Sequence, residues 1–458
     1  MSFVKVKGTH FVCDNKEILF SGLGIGTWLN MEHFMLGIPT TDSQIRRAFG
    51  EAYGREASEE FFKKFILDFV TEADFKFLKE TGVNLVRVPF HYHLFLDDQN
   101  PSRYKEEGFY YFDYLLALAS KYEIYILPDL HSVPGGQNPD WHCDNQTGSP
   151  QFWHFKVFRD QIVALWREIA RRYKEEPYLL GYDLLNEPYL IPKDDRIDQF
   201  YQEVTAAIRE VDQNHILFLE GDFFAMDFSC IHTIADEQTA LAFHYYPTVW
   251  EPDLFRKDYD RAERRQKFEA VFKKLIQIRE QFSRPILCGE AGYDIDKEDL
   301  PFTMGLVEDT LELFRRYQVS WTLWCYKDAQ FMGVVYPKSV TPWMKFIDKI
   351  HTYWNHYQDI EMAQAGIEGL CSRHFPQATE EDRYFLRFRQ RTLIYSLQAE
   401  YWLKQELQQY SIEEIMKLPE SFLMENCGYH EEYAAVLRKY TGRSENVKAE
   451  GSGCRSQL

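Results

Sequence analysis

The sequence predicts an α/β fold, a closed (β/α)8 TIM barrel with a C-terminal helical appendage. Three observations support this. Eight short runs rich in Val, Ile, Leu, Phe and Tyr, each bounded by turn residues, recur between residues 17 and 326, as buried strands do. Helical patterns fill the gaps, and strands alternating with helices give a parallel sheet. The nearest glycine-rich turn, Gly22-Leu-Gly24-Ile-Gly26, lacks the GxGxxG spacing of an open dinucleotide-binding sheet, which favours closure into a barrel.

In chain order, a hairpin at 2–16 is expected to plug the barrel floor, and strands are expected at 17–24, 84–90, 123–131, 179–187, 215–220, 240–246, 285–291 and 319–326. Helices are expected near 60–81, 112–120, 153–174, 197–212, 260–282, 301–317 and 342–358, with a short, weakly helical fifth connection at 227–236. The clearest helix is 153–174, where Phe155, Phe158, Ile162, Leu165, Trp166, Ile169 and Tyr173 recur at spacings of three and four and so share one face. Residues 1–358 are read as the catalytic barrel. Residues 359–442 change to continuous helical patterning, as in 391–407, and are read as an appendage packed on the barrel or on a partner subunit, which makes a homo-oligomer through these helices an expectation. The Gly-Ser-Gly-Cys tail at 443–458 is expected to be disordered.

The chain of 458 residues is 45% apolar, enough for a large core, and its net charge is −19. A surface this acidic repels phosphate backbones, so nucleic acid is not an expected partner. Eight scattered cysteines without a CxxC pair suit a reducing compartment. The N-terminal Met-Ser-Phe-Val-Lys-Val-Lys-Gly lacks the apolar run of about 7–15 residues of a signal peptide, and no stretch approaches the roughly 18 apolar residues of a membrane span. The reading is a cytoplasmic protein, not a membrane protein. Aromatic residues make up 16% of the chain, and such rings fill cores as well as stack on sugars.

Two stretches point to chemistry. Tyr-Asp-Leu-Leu-Asn186-Glu187-Pro188 and Ile-Leu-Cys-Gly-Glu290-Ala-Gly each end an apolar strand with a glutamate. A carboxylate at the C-terminal end of a barrel strand points into the mouth where barrel enzymes react substrates. Two of them can cleave a glycosidic bond, one as proton donor and one as nucleophile; a separation of about 5–5.5 Å means retention and about 6.5–9.5 Å inversion. Glu187 is the candidate donor and Glu290 the candidate nucleophile. Arg87, in Leu-Val-Arg-Val-Pro, offers a fixed positive charge to the nucleophile, and Tyr246 a hydroxyl.

With these residues in place, residues 10–350 resemble family 5 glycoside hydrolases, retaining enzymes on barrels. Asn186-Glu187-Pro188 resembles that family's acid/base motif and Gly289-Glu290 its nucleophile; Arg87, His131 in Pro-Asp-Leu-His, His244 and Tyr246 in His-Tyr-Tyr-Pro, and Trp324 in Trp-Thr-Leu-Trp follow in family order. Two loops resemble exo-1,3-glucanases: Gly26-Thr-Trp28-Leu-Asn-Met-Glu32 and Asp129-Leu-His131-Ser-Val-Pro-Gly-Gly-Gln137-Asn138. The resemblance implies that Glu32 and an Asp-Asn pair, here Asp144-Asn145, hold the terminal sugar's hydroxyls, that Asn186 binds the 2-hydroxyl, and that Trp28 and Trp324 stack on the sugar. Asn138 joins the expected binding set. The chain departs from that group in the Pro-Asp-Trp-His-Cys spacer at 139–143, in the insertion at 31–60 and in its helical C-terminus.

The expected activity is a retaining, exo-acting β-glycosidase, β-glucosyl before β-mannosyl, acting on imported oligosaccharides or small glycosides and requiring no cofactor because protonation and carboxylate attack supply the chemistry. Exo action is expected from the long loops 31–60 and 132–151, which would wall off one end of the cleft. The alternatives are an endo-acting glucanase or mannanase, a non-catalytic sugar-binding barrel, and a metal-dependent hydrolase. The last follows from His91-Tyr-His93 beside His131, His142 and His244, but that pair does not end the first strand and no aspartate ends the eighth, so no metal is assigned.

Overall fold

The computed structural model describes residues 2–353 and 397–441 and, between them, 365–366, 368–379, 382–383, 386 and 389–390. The ends of two expected helices, 354–358 and 391–396, and the tail 443–458 lie outside the described residues. At the centre is a closed barrel of eight strands: β1 Ser21–Gly24, β2 Leu85–His91, β3 Tyr125–Ser132, β4 Gly181–Asp183, β5 Ile216–Glu220, β6 Thr239–Tyr245, β7 Ile286–Ala291 and β8 Ser320–Leu323. All pair in parallel with their sequence neighbours, and β8 closes on β1 through Trp321 opposite Ser21 and Leu323 opposite Leu23. Every residue of β2, β3, β6 and β7 is buried, because helices cover one face and side chains fill the other; hence the continuous apolar runs.

The expected first strand divides in two. Lys16–Ile18 belongs to an antiparallel ribbon with Lys5–Lys7 and His10–Cys13, and the barrel strand begins only at Ser21. The backbone N–H of Phe20 donates to Ser320 Oγ and that of Ser21 to Asn84 Oδ1, so the chain turns from ribbon to barrel there. Val4 and Phe11 of this region pack with Phe20, Leu85, Leu127, Phe218 and Leu287 and close the floor. The helix expected at 60–81 is likewise two, Arg55–Phe69 and Glu72–Glu80; the second starts on a capping box in which Thr71 and Asp74 satisfy each other's backbone N–H groups.

Two helices position the mouth. Lys156–Tyr173 buries Ile162, Leu165, Trp166 and Ile169, and its Trp166 Nε1 donates to Leu184 O at 2.9 Å, which anchors the chain just before Asn186 and Glu187. Arg261–Ile276 receives Tyr245, whose hydroxyl donates to Phe268 O. Side chains alternate along a strand, so Tyr245 facing the helix sends His244 and Tyr246 to the barrel interior.

The insertion at 31–60 forms two helices, His33–Leu36 and Asp42–Tyr53. The described C-terminal segment packs into the barrel's own core. Leu403 and Leu407 of helix Leu397–Leu407, together with Phe422, Tyr433 and Leu437, join the same apolar cluster as the barrel helices. Cys427–Tyr429 pairs antiparallel with Val335–Pro337. Helix Glu431–Thr441 lies against Leu300–Tyr317 and β1, and Thr441 Oγ1 donates to Thr81 O at 2.7 Å. It thus stands between the helices of the seventh and first units.

Candidate active site

The side chains at the C-terminal ends of the strands converge. Arg87, from β2, is fully buried. Its Nη1 donates to Glu290 Oε1 at 2.6 Å, Nε to Asp183 Oδ2 at 2.9 Å, and Nη2 to Asn186 Oδ1 at 2.8 Å and Glu220 Oε1 at 3.0 Å, with Asp129 Oδ2 at 3.2 Å. Burial acts to lower the guanidinium's pKa, but the carboxylates of Asp129, Asp183, Glu290 and Glu220 outweigh it and hold the value well above the ordinary arginine range. The planar five-donor fork of arginine suits such a ring of acceptors. Burial, with Glu220 beside it, pushes Asp183 well up, as expected when several carboxylates share one cation.

Glu290, at the end of β7, is held at both oxygens: Oε1 by Arg87 and Oε2 by the Tyr246 hydroxyl at 2.9 Å. Burial keeps Tyr246 a neutral phenol by raising its pKa well above the ordinary value, so it remains a donor. Glu187 lies across the mouth. Its backbone has φ 47°, a left-handed conformation that costs a non-glycine residue roughly 1–2 kcal/mol, and its N–H is fixed by Glu220 Oε2 at 2.6 Å. His244 Nδ1 sits 2.6 Å from Glu187 Oε1 and 3.6 Å from Glu290 Oε2. A register shift between Phe243 and His244 re-aims this side chain, as bulges do near active sites. A carboxylate oxygen of Glu187, one of Glu290 and a ring nitrogen of His244 lie within 4.8 Å of one another. The two residues are 9% and 5% exposed, so their carboxyl groups are largely withdrawn from open solvent.

Of the other expected residues, His131 Nδ1 bonds Asp129 Oδ2 at 2.7 Å and its Nε2 lies 3.3 Å from Glu32 Oε1. Burial works against charging His131, but Asp129 and then Glu32 raise its pKa to about 9. Burial raises Glu32, with His131 opposing the shift, and Asn186 Nδ2 is a buried polar atom without a hydrogen-bond partner among the described residues. The Trp324 ring lies parallel to His131, 5.8 Å between centroids. Gly24 and Gly26 make room for it: a Cβ there would stand 2.7 and 2.5 Å from the indole.

Four expected residues, Trp28, Asn138, Asp144 and Asn145, are engaged within the protein itself. Trp28 is 1% exposed, and its Nε1 donates to Ile66 O at 2.8 Å, which ties it to helix Arg55–Phe69. Asn138 uses its amide to brace the loop, donating to Glu187 O at 2.9 Å. Asp144 is tied to His91 Nε2 at 3.1 Å and to the backbone N–H and hydroxyl of Ser43, and Asn145 donates to Asn138 O. These contacts lock the 31–60 insertion to the 132–151 loop. His91, His93 and Asp144 have ligand atoms within 4.8 Å, yet His91 Nδ1 accepts from His93 N–H and His93 Nε2 faces Asp98 Oδ2 at 2.7 Å.

Sequence reasoning missed four contacts. Asp129, Asp183 and Glu220 were visible as acidic residues inside apolar strands, a signal that a buried cation faces them. His142, read only as a conceivable metal partner, places Nε2 3.0 Å from Glu187 Oε2. Burial raises the Glu187 carboxyl; His244 and His142 act the other way only in their charged forms, in which they would hold it below the usual carboxylate range.

The family model for cellulases of glycosyl hydrolase family 5 matches residues 50–330. A β-xylosidase of Phanerodontia chrysosporium is 37% identical over 356 residues, covering 75% of this chain and 75% of its own. Endoglucanase C of Acetivibrio thermocellus is 26% identical over 309 residues, covering 59% of this chain and 88% of its own. A solved endogalactoceramidase shares the fold, with a TM-score of 0.54 at 16% identity over 72% of this chain and 75% of that one. An eight-stranded barrel with two facing glutamates at its mouth, matched by this family's model over more than half its length, belongs to glycosyl hydrolase family 5, and the chain is a glycoside hydrolase of that retaining clan.

Proposed function

We propose that the protein is a retaining exo-acting β-glycosidase that removes a terminal β-linked sugar from oligosaccharides or small glycosides by double displacement through Glu187 and Glu290. The observation that carries this is the pair of carboxyl groups whose oxygens come within 4.8 Å across one pocket, on the retaining side of the separations that divide the two stereochemical courses. Glu290 is oriented for attack by Arg87 and Tyr246; Glu187 protonates the leaving oxygen and then, as a base, draws the proton from the water that releases the sugar. The unpartnered Asn186 Nδ2 suits the sugar's 2-hydroxyl, Glu32 and His131 its further hydroxyls, and Trp324 its apolar face.

Exo action is supported by the wall on one side. Ser43 bonds Asp144, and Arg47 bonds Glu400 of helix Leu397–Leu407, so the insertion, the 132–151 loop and the C-terminal segment form one bound rim. The terminal sugar is β-glucosyl or, as the name of the β-xylosidase relative suggests, β-xylosyl, with β-mannosyl next. A second reading, endo action, is favoured by the likeness to an endoglucanase. A panel of aryl β-glucoside, β-xyloside and β-mannoside, followed by product analysis on a β-linked oligosaccharide, tests both. Monosaccharide released from one end supports the proposal; equal cleavage of internal and terminal bonds overturns exo action, and no turnover of any β-glycoside overturns the whole reading.

A further inference from the structure

The family-unlike spacer at 139–143 brings a second imidazole to the proton donor, and the hydrogen bonds around it determine which partner holds the proton. Asn138 is fixed in orientation. Its Oδ1 accepts from Asp140 N–H at 2.9 Å and from Cys143 Sγ at 3.1 Å, and its Nδ2 donates to Glu187 O at 2.9 Å. The remaining hydrogen of that amide points to His142 Nε2, 2.9 Å away. If Nε2 carried a hydrogen, two donors would face each other at hydrogen-bond distance. On the other side of the ring, Nδ1 has the Asp140 carboxylate 3.8 Å away, beyond hydrogen-bond distance but a negative charge that favours a hydrogen on Nδ1. The hydrogen on one ring nitrogen is set by what the other nitrogen meets, so the surroundings select Nδ1–H and leave Nε2 as an acceptor.

We infer that His142 is a positioning residue for the proposed proton donor: its bare Nε2, with one lone pair shared between the Asn138 amide and Glu187, accepts from the protonated Oε2–H of Glu187 and favours that carboxyl's acid form. The remaining contacts agree. Oε2 lies 3.0 Å from Nε2, and Oε1 receives the Nδ1 hydrogen of His244 at 2.6 Å, which is the division of roles a carboxylic acid requires. The other groups facing this pair are Asp140 behind His142, His131 with its ring 5.6 Å from that of His142, Glu32 beyond His131, Glu290 3.6 Å from His244, and Glu220 beneath the Glu187 backbone. The alternative is a charged His142 in an ion pair with a Glu187 carboxylate, which would leave the donor without its proton. The inference rests on Glu187 being the donor.

The test is the pH dependence of kcat/KM for a β-glycoside with a poor leaving group, whose basic limb reports the donor's loss of its proton. His142→Phe removes the acceptor that favours the acid form, so the basic limb is expected to move to lower pH by about one unit. A shift to higher pH identifies an ion pair and overturns the inference, as does an unmoved limb, which leaves His142 merely structural. A second measurement needs no folded Phe variant: in the wild-type protein labelled with 15N-histidine, the His142 ring, identified by the resonance lost in His142→Gln, is expected to show one protonated and one bare nitrogen at neutral pH, and a doubly protonated ring refutes the assignment. In Glu187→Ala the basic limb must vanish; if it persists there, the donor assignment itself fails, whatever His142 does.

Discussion

Replacing Arg87 with lysine keeps the charge and removes the fork. The guanidinium reaches five acceptors, on Asp129, Asp183, Asn186, Glu220 and Glu290, at 2.6–3.2 Å. An ammonium has three donors on a single atom, so at least two of these contacts are lost, and the planar two-sided reach from Glu290 to Asn186 cannot be reproduced. Hydrogen bonds to charged groups are worth about 1.5–3 kcal/mol each, so losing two gives about 3–6 kcal/mol, in line with about 3–5 kcal/mol when a buried charge loses its partner. The part falling on Glu290 is one contact at 2.6 Å, and its loss corresponds to a fall in kcat of roughly 10- to 150-fold if the contact acts mainly in the transition state. Arg87→Lys should therefore unfold at markedly lower denaturant and turn over an aryl β-glycoside at least tenfold more slowly, with KM changed less than kcat. A variant within threefold of wild type in kcat, with an unchanged denaturation midpoint, would refute the claim that this guanidinium both holds the carboxylate ring and orients Glu290.

Other outcomes follow from the same geometry. Trp28→Phe should lower stability by about 1 kcal/mol through the lost bond to Ile66 O and leave KM for small glycosides unchanged; a raised KM would return Trp28 to the sugar. His131, raised to about 9 by Asp129 and Glu32, has a folded-state value above its unfolded one of roughly 6.5. Its contribution, about 3 kcal/mol at most, is fully present below pH 6.5 or so and lost as pH climbs toward 9. Stability by denaturant titration should fall across that window in the wild type, and His131→Gln should flatten that fall; an equal slope in both would contradict the assignment.

Much of the barrel was legible because β2, β3, β6 and β7 are buried on both faces and read as unbroken apolar runs. The first strand was less so: Lys16–Ile18 and Ser21–Gly24 are both short and contiguous, and only the side chains of Asn84 and Ser320, far along the chain, separate ribbon from barrel. Strand alternation correctly chose Tyr246 over Tyr245 for the interior. The hydrogen bond of the Trp28 indole to Ile66 O joins residues 38 apart in the chain, which no local spacing encodes. His142 had no pattern to betray it. Its contact with Glu187 spans a loop that folds back through Asn138 and Asp140, and neither period-two nor period-three spacing encodes such a path. The C-terminal helices carry apolar faces that one chain or two could bury; here Leu403, Leu407, Tyr433 and Leu437 are buried within the chain itself.

A mechanism-based label decides the matter most directly. Incubation with a 2-deoxy-2-fluoro-β-glycoside bearing an activated leaving group, followed by proteolysis and mass spectrometry, should place one fluorosugar on the peptide containing Glu290, because attack proceeds while the second step is slowed. A label on any other residue, or turnover that first releases the inverted anomer with no adduct, would contradict the account that Glu290 attacks the anomeric carbon opposite Glu187.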